Sequence, residues 1–163
     1  MKNLLFIPCY NDEKSLRKLL IEIGNLYQSS FDILIINDGS DQELYFSKKN
    51  KSLKIINLKN NYGIGFCLKF AIKYALKNNY KKFCRIDSDG EHHPKYIKDI
   101  FKMLDLNDFI LGDRKILFKQ SYFKIASKKM INLIINKLFG LKIDDYNCGM
   151  MGLKVNAMKK IKN

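Results

Sequence analysis

Two aspartates of the sequence, Asp87 and Asp89, stand two positions apart at the end of a short apolar run. In extended backbone, residues two apart point to the same side of the chain, so the two carboxylates are expected to lie close together. Neighbouring carboxylates repel each other unless a cation lies beside them, and Mg²⁺ or Mn²⁺ accepts oxygen ligands while keeping positions open for phosphate. The pair therefore indicates a divalent-metal site that binds a phosphorylated ligand. The alternative is a solvated acidic turn, since the pattern D-x-D is short and common.

The position of this pair in the predicted fold favours the metal site. Short apolar runs, typical of strands buried on both faces, alternate along the chain with segments of helical period. The predicted strands are Leu4 to Ile7, Ile33 to Ile36, Ile55 to Leu58, Phe83 to Asp87 and Phe109 to Leu111. The predicted helices are Lys14 to Leu26, Gly65 to Leu76, Pro94 to Leu104 and Tyr122 to Phe139. This alternation predicts one α/β domain over residues 1–163, with a mostly parallel sheet covered by helices on both faces.

Such sheets bind ligands at the carboxyl ends of their strands, and the residues that follow the predicted strands are polar or glycine. In chain order they are Pro8, Tyr10 and Asp12, then Asp38, then Gly63 and Gly65, then Asp87, Asp89 and Glu91, and finally Asp113 and Arg114. Glycines before a helix let backbone N–H groups approach a phosphate or a ribose. A dinucleotide fingerprint would need a third glycine and a place after the first strand, so NAD binding is disfavoured.

Charge and cysteine content restrict the class of protein further. The chain carries 30 basic and 16 acidic side chains, and its net charge of +14 favours an anionic partner. Twelve basic but only two acidic side chains lie after Asp113. The four cysteines form no C-x-x-C pair, which disfavours a zinc ribbon or a disulfide framework and fits a reducing cytosol. No apolar run has the length of a signal-peptide core or a membrane span, so a cytoplasmic protein is expected.

The motifs at the strand ends resemble those of the family 2 glycosyltransferases, which have the Rossmann-like GT-A fold, and within them the dolichol-phosphate mannosyltransferase-like branch. The resemblance runs from Leu4 to about Leu153. Its segments are Ile7-Pro8-Cys9-Tyr10-Asn11-Asp12-Glu13, Ile36-Asn37-Asp38-Gly39-Ser40, Gly63-Ile64-Gly65, Asp87-Ser88-Asp89-Gly90-Glu91-His92-His93-Pro94, Gly112-Asp113-Arg114, and Gly140 to Asp145 with Cys148-Gly149. This likeness implies an inverting transferase that moves a sugar from a UDP- or GDP-linked donor to a lipid-phosphate or glycan acceptor, in cell-envelope polysaccharide or glycolipid synthesis.

The resemblance also implies roles for single residues. On the donor side, Pro8, Tyr10 and Asp12 would line the nucleoside pocket, Asp38 would accept a hydrogen bond from the base or ribose, and the turn at Gly63 and Gly65 would approach the nucleotide. The metal would lie among Asp87, Asp89 and Glu91, with Asp87 also near the ribose and Asp89 as the principal ligand. On the acceptor side, Arg114 and Lys128 would contact phosphate, and Asp145 is the candidate general base.

The sequence departs from the family pattern at several positions. Asn37 replaces an aspartate, Cys148 a serine and Met150 a phenylalanine, and Lys128 stands where relatives carry an arginine. The chain also ends earlier than most relatives. A catalytically degenerate member is therefore one alternative, and a sugar nucleotidyltransferase is another, although that class would need a glycine-rich loop after the first strand. An anion- or nucleic-acid-binding module leaves the acidic strand ends unexplained, so no nucleic-acid partner is expected.

The predicted helix from Tyr122 to Phe139 has a polar, basic stripe and an apolar face wider than one sheet contact requires. We expect the basic stripe to face an anionic membrane surface or a lipid-phosphate acceptor. The rest of the apolar face would be covered by the bilayer, by a partner chain or by a further C-terminal segment. The alternative is that the apolar face is core and the lysines are merely solvated.

Overall fold

The computed structural model describes residues 2–27, 30–46, 52–113, 132, 136–137, 143, 145 and 148–160. Within these residues the strands are β1 (Asn3–Cys9), β2 (Asp32–Asn37), β3 (Leu53–Asn57), β4 (Lys82–Arg85), β5 (Phe109–Leu111) and β6 (Met151–Lys154). The α-helices are α1 (Glu13–Leu26), α2 (Ile64–Lys77), α3 (Ile97–Met103) and the short α4 (Ala157–Lys160), and a 3₁₀ turn (Pro94–Tyr96) leads directly into α3.

The strands form one sheet in the order β3-β2-β1-β4-β6-β5. The pairs β1–β2, β2–β3 and β1–β4 are parallel, whereas β6 runs antiparallel to both of its neighbours. The sheet is therefore mostly parallel, which confirms the predicted fold class. Because β1 to β4 are parallel, their carboxyl ends meet at one edge of the sheet.

The sheet divides the hydrophobic core into two layers. On β1, Leu5 and Ile7 pack into the layer under α1 and α3, while Leu4 and Phe6 pack into the layer under α2. These four side chains are at most 1% exposed, as expected for the central strand of a sheet covered on both faces. Burying a large apolar side chain contributes about 1.5–3 kcal/mol. The core therefore holds the strand ends in place.

Most predicted boundaries differ from the structure by one to three residues, and two of these differences lie near the end of β4. The fourth strand ends at Arg85, two residues before its predicted end, because the chain leaves the sheet after the Ile86 N–H donates to the Phe6 carbonyl. The predicted helix from Pro94 begins as a 3₁₀ turn before α3. Most of the predicted helix from Tyr122 to Phe139 lies outside the described residues. Within the described part of the chain, no helix is long and apolar enough to cross a membrane.

Candidate active site

A cleft of about 400 Å³ lies where the carboxyl ends of β1, β2 and β4 meet the start of α2. Six of the residues predicted from the sequence line it, namely Pro8, Tyr10, Asp38, Gly63, Asp87 and Asp89. Tyr10 is 51% exposed, which leaves part of its ring open to solvent. The parallel strands thus bring together side chains from three separate segments of the sequence.

Asp38 holds the glycine turn that precedes α2. Its two carboxylate oxygens accept hydrogen bonds from the backbone N–H groups of Tyr62, at 2.9 Å, and Gly63, at 2.8 Å. Gly63 has a φ of 84°, a conformation that glycine adopts without steric cost. Asp38 is only 5% exposed, so these bonds satisfy a buried charge. The predicted contact of Asp38 with the base or ribose of a donor stays a prediction. Its second role, ordering the turn before α2, was not predicted from the sequence.

Asn37 lies at the centre of a buried polar network. Its amide donates to the Gln42 carbonyl at 3.0 Å and to Asn57 Oδ1 at 2.9 Å, and its own oxygen accepts from the Ser40 hydroxyl. An aspartate has no N–H donor for the first two bonds, so this network explains the asparagine found here. Ser40 Oγ also accepts from the Asn11 N–H at 2.8 Å, which ties the loop after β1 to the loop after β2.

Asp12 lies outside the main cleft. It lines a smaller neighbouring cavity of about 290 Å³ together with Asn11, Ser40 and Asp41. It is also the residue before α1, where its side chain makes no capping hydrogen bond. Its predicted place in the nucleoside pocket stays a prediction.

Asp87 and Arg85 form an ion pair on the floor of the cleft. The Arg85 Nε donates to Asp87 Oδ1 at 2.9 Å, and its Nη2 donates to Oδ2 at 3.1 Å. Their side chains are 16% and 28% exposed. Burial raises the pKa of the Asp87 carboxyl above its ordinary value, and the adjacent guanidinium opposes that rise. The pair therefore favours an ionised Asp87 in a partly buried place.

Gly149 packs directly against this carboxylate. A Cβ atom built on Gly149 would lie 2.1 Å from Asp87 Oδ2, which is far inside van der Waals contact. The segment Cys148-Gly149 thus forms the wall that confines Asp87, and only glycine fits there without a shift.

Asp89 and Glu91 lie in the turn that follows Asp87 in the chain. Asp89 is exposed, and its Oδ1 accepts from the Glu91 N–H at 2.9 Å. Within the described residues, no three or more His, Cys, Asp or Glu side chains form a group that could hold a metal. The oxygen donors of Asp89 suit Mg²⁺ or Mn²⁺ bound by one or two carboxylates and completed by phosphate oxygens. The wider set of Asp87, Asp89 and Glu91 stays a prediction.

Comparison with known proteins places this arrangement in a family. The model of the family described as "Glycosyl transferase family 2" matches residues 5–162. The chain belongs to that family. The predicted family is confirmed, and with it the mostly parallel α/β fold of its GT-A members.

Relatives among curated proteins include a dodecaprenyl-phosphate galacturonate synthase of Rhizobium johnstonii, 22% identical over 97% of this chain and 49% of the relative. An undecaprenyl-phosphate 4-deoxy-4-formamido-L-arabinose transferase of Proteus mirabilis is 26% identical over 87% of this chain and 45% of the relative. The chain thus spans about half the length of these relatives.

Two solved structures share the fold. TarS 1–349 of S. aureus in complex with UDP-GlcNAc has a TM-score of 0.64 and 21% identity, and the match covers 99% of this chain and 48% of that one. The mannosyltransferase PcManGT of Pyrobaculum calidifontis in complex with GDP-Man and Mn²⁺ has a TM-score of 0.61 and 11% identity, over 98% and 46% of the two chains.

The two histidines after Asp89 lie in different environments in this family 2 member. His92 is buried, and its Nε2 lies 3.6 Å from Cys148 Sγ. His93 is exposed, and its Nδ1 accepts from the Lys95 N–H at 3.1 Å, which caps the 3₁₀ turn. At most one histidine therefore faces the site.

The acceptor-side residues are described only in part. Asp145 is 1% exposed, and its carbonyl accepts from the Cys148 N–H at 3.4 Å. Its role as a general base stays a prediction. Arg114 and Lys128 lie outside the described residues, and their predicted contacts with phosphate stay predictions as well.

The cysteines of the cleft are poor candidates for nucleophiles. Burial raises the pKa of the Cys67 thiol to about 12, and it also raises the pKa of Cys9. Both thiols are therefore protonated near neutral pH, whereas the thiolate is the reactive form. Neither thiol is therefore expected to act as a nucleophile in the cleft.

Two features of the site were not predicted. The Arg85–Asp87 pair has a sequence signal, since residues two apart on a strand share a side and here carry opposite charges. Gly149 has no comparable signal, because it lies 62 positions from the carboxylate that it contacts.

Proposed function

We propose that this protein is an inverting glycosyltransferase that moves a sugar from a UDP- or GDP-linked donor to a lipid-phosphate or glycan acceptor. The observation that carries the proposal is the cleft at the strand ends. It is lined by the glycine turn that donates hydrogen bonds to Asp38 and by the carboxylates of the D-x-D motif. Its size suits part of a nucleotide-sugar, and ligands of open α/β sheets bind at this edge. The names of the two prenyl-phosphate relatives favour a lipid-phosphate acceptor and the proposed dolichol-phosphate mannosyltransferase-like branch.

The charges of the cleft support a requirement for a divalent cation. Among the described lining residues, the carboxylates of Asp38, Asp87 and Asp89 outnumber the single guanidinium of Arg85, which gives a net charge of −2. A nucleoside diphosphate is also an anion, so it would be repelled unless a cation joined it to the protein. We assign Mg²⁺ or Mn²⁺ to Asp89, with Asp87 and Glu91 as further oxygen donors. When bound, the metal stabilises the negative charge that grows on the departing diphosphate.

The residues of the chain bind and orient the donor. The half-exposed ring of Tyr10 offers a face to the base, and Asp38 accepts from the base or ribose while it keeps the turn in place. Helix α2 begins directly after Gly63, so its N-terminus presents backbone N–H groups and a partial positive charge to the phosphates. Binding of the donor by these groups leaves one face of the anomeric carbon for the acceptor, and attack from that face inverts the centre.

The acceptor determines which further residues are needed. A lipid phosphate is already an anionic nucleophile and needs only positively charged side chains that bind it. We propose that Arg114 and Lys128 do so. A sugar hydroxyl needs a general base, for which Asp145 is the candidate. The proposed place of action is the cytoplasmic side of a membrane, where prenyl-phosphate acceptors would be reached.

A binding screen tests the proposal. UDP-, GDP- and other nucleotide-sugars are added with Mn²⁺ or with EDTA, and the melting temperature is measured. A ligand present at 100 times its Kd stabilises the folded state by about 2.7 kcal/mol. We expect one nucleotide class to raise the melting temperature, and only with metal. No shift with any nucleotide-sugar would contradict the proposal and favour a catalytically degenerate member.

A further inference from the structure

The outward face of α2 carries exposed aromatic rings beside the cleft. Tyr62 and Phe66 stack with their centroids 4.7 Å apart, and Phe70 follows at 6.5 Å from Phe66. Tyr62 is 51% exposed and Phe66 is 44% exposed. The opposite side of the helix carries the buried Cys67, Ala71 and Ala75. Tyr62 and Phe66 therefore project away from the core, whereas Phe70 is partly buried and packs against the core layer under α2.

Lysines surround the rings on the same face. Positions 66, 69, 70, 73 and 77 fall within about 100° of one another around an α-helix, because successive residues turn by roughly 100°. Lys69, Lys73 and Lys77 occupy three of these positions, and all three are exposed. We call Tyr62, Phe66, Phe70 and these three lysines the α2 outer face.

The segment of the chain that carries this face has charged side chains of one sign only. Residues 44–86 contain eleven basic side chains and no aspartate or glutamate. An isologous dimer through this face would set lysines against lysines, which repel. A partner suited to the face combines negative charge with an apolar layer that accepts aromatic rings.

We propose that the α2 outer face docks the protein onto the surface of an anionic lipid bilayer. Aromatic rings are favoured at the boundary between headgroups and acyl chains, and lysines at the rim are attracted to anionic headgroups. Gly63 and Ile64, at the start of α2, line the cleft, so docking holds the cleft close to the membrane surface. The proposal goes beyond the transfer reaction, since it concerns where the protein binds and not what it transfers.

A single introduced tryptophan tests which surface meets the lipid. The chain contains no tryptophan, so Phe66→Trp supplies the only indole. Vesicles of phosphatidylcholine mixed with phosphatidylglycerol are compared with vesicles of phosphatidylcholine alone. We expect the emission to move to shorter wavelength with the anionic vesicles only. The control Ile21→Trp replaces a 65% exposed side chain on α1 and should keep its emission unchanged.

Charge variants measure the contribution of the lysines. Sedimentation with anionic vesicles should fall by roughly tenfold or more in Lys69→Gln/Lys73→Gln/Lys77→Gln, since each basic residue near an anionic surface contributes to binding. It should also weaken between about 0.1 M and 1 M salt, as the Debye length falls from roughly 10 Å to 3 Å. The control Lys14→Gln/Lys18→Gln/Lys98→Gln changes the net charge equally on exposed positions of α1 and α3 and should bind like the wild type.

Three results would overturn the proposal. Sedimentation without any change in the Phe66→Trp emission would place the contact elsewhere, for example on the predicted helix from Tyr122 to Phe139. An equal loss of vesicle binding in the two triple-lysine variants would show that only the net charge of the protein matters, and not the position of the lysines. A concentration-dependent change in emission without vesicles would show that a second copy covers the face. None of these results depends on nucleotide binding, so the proposed transferase function is tested separately.

Discussion

The ion pair between Arg85 and Asp87 determines the charge state of the cleft floor. The guanidinium donates to both carboxylate oxygens, and Gly149 closes the other side of the same carboxylate. A carboxyl group in this partly buried place depends on its partner, because burial alone raises its pKa. Arg85 thus opposes the rise in the pKa of Asp87 that burial causes, and its two hydrogen bonds orient the carboxylate.

Replacing Arg85 by methionine should lower the free energy of unfolding by an amount that depends on pH. In Arg85→Met the pKa of Asp87 rises further above its unfolded value, so the ionised form destabilises the folded state. We expect a loss of about 2 kcal/mol at pH 7, which disappears as the pH falls below the pKa of Asp87 and the carboxyl becomes protonated. Chemical denaturation between pH 4 and 8 measures this.

A surface pair provides the control for Arg85→Met. Arg17 and Glu13 form an i,i+4 pair with side chains 50% and 35% exposed, and the Arg17 guanidinium also lies 4.6 Å from the centroid of the Phe46 ring. Both contacts are at the surface, so Arg17→Met should cost about 1 kcal/mol or less. Arg85→Lys keeps the charge but not the bidentate fork and should lie between the wild type and Arg85→Met. If Arg85→Met lost the same free energy of unfolding at all pH values, the proposed effect of Arg85 on the pKa of Asp87 would be wrong.

At the scale of secondary structure elements, the turn before α2 depends on a carboxylate from the end of β2. Asp38 and Gly63 are 25 positions apart, yet their hydrogen bond fixes where the helix begins. Gly39 contributes by close packing, since a Cβ atom there would lie 2.2 Å from the Asn60 carbonyl carbon. The geometry of the cleft wall is therefore determined by β2 as much as by α2.

The substitution Asp38→Asn should release this turn. One carboxylate oxygen becomes an NH₂ group, which cannot accept the N–H of Tyr62 or Gly63, so one buried hydrogen bond is lost. We expect a stability loss of about 1–3 kcal/mol and weaker nucleotide binding. Hydrogen exchange should speed up most at the Tyr62 amide, because the Gly63 N–H keeps Asn61 Oδ1 as an acceptor at 3.0 Å. The amides of α1 should stay as slow as in the wild type. Unchanged exchange at both turn amides would show that the carboxylate serves the ligand alone.

The sequence predicts best the strands that are buried on both faces of the sheet. β1 lies between two layers of helices, so an unbroken apolar run from Leu4 to Ile7 identifies it. The positions of Asp38, Asp87 and Asp89 follow, because the carboxyl ends of parallel strands meet at one edge. The hydrogen bonds from the turn to Asp38 and the packing of Gly149 against Asp87 could not be predicted, since they depend on how distant loops pack once the sheet has formed.

At the scale of the whole molecule, a strongly basic chain contains an acidic cleft. The net charge is +14, yet the described lining of the cleft has three carboxylates and one guanidinium. The basic surface attracts anions over a distance, whereas the cleft itself repels them at close range. The proposed divalent cation would remove this repulsion, because it can bind both the carboxylates and a diphosphate.

The substitution Asp89→Ala tests this electrostatic argument. We expect calorimetry to show that wild-type affinity for a nucleoside diphosphate falls at least roughly tenfold when EDTA replaces Mn²⁺. In Asp89→Ala the affinity should be low with or without the metal, since the principal ligand is gone. Asp99→Ala, which removes an exposed carboxylate of α3, should retain the wild-type response. Wild-type affinity that is the same in Mn²⁺ and EDTA would refute the metal site, because the acidic cleft would then bind an anion unaided.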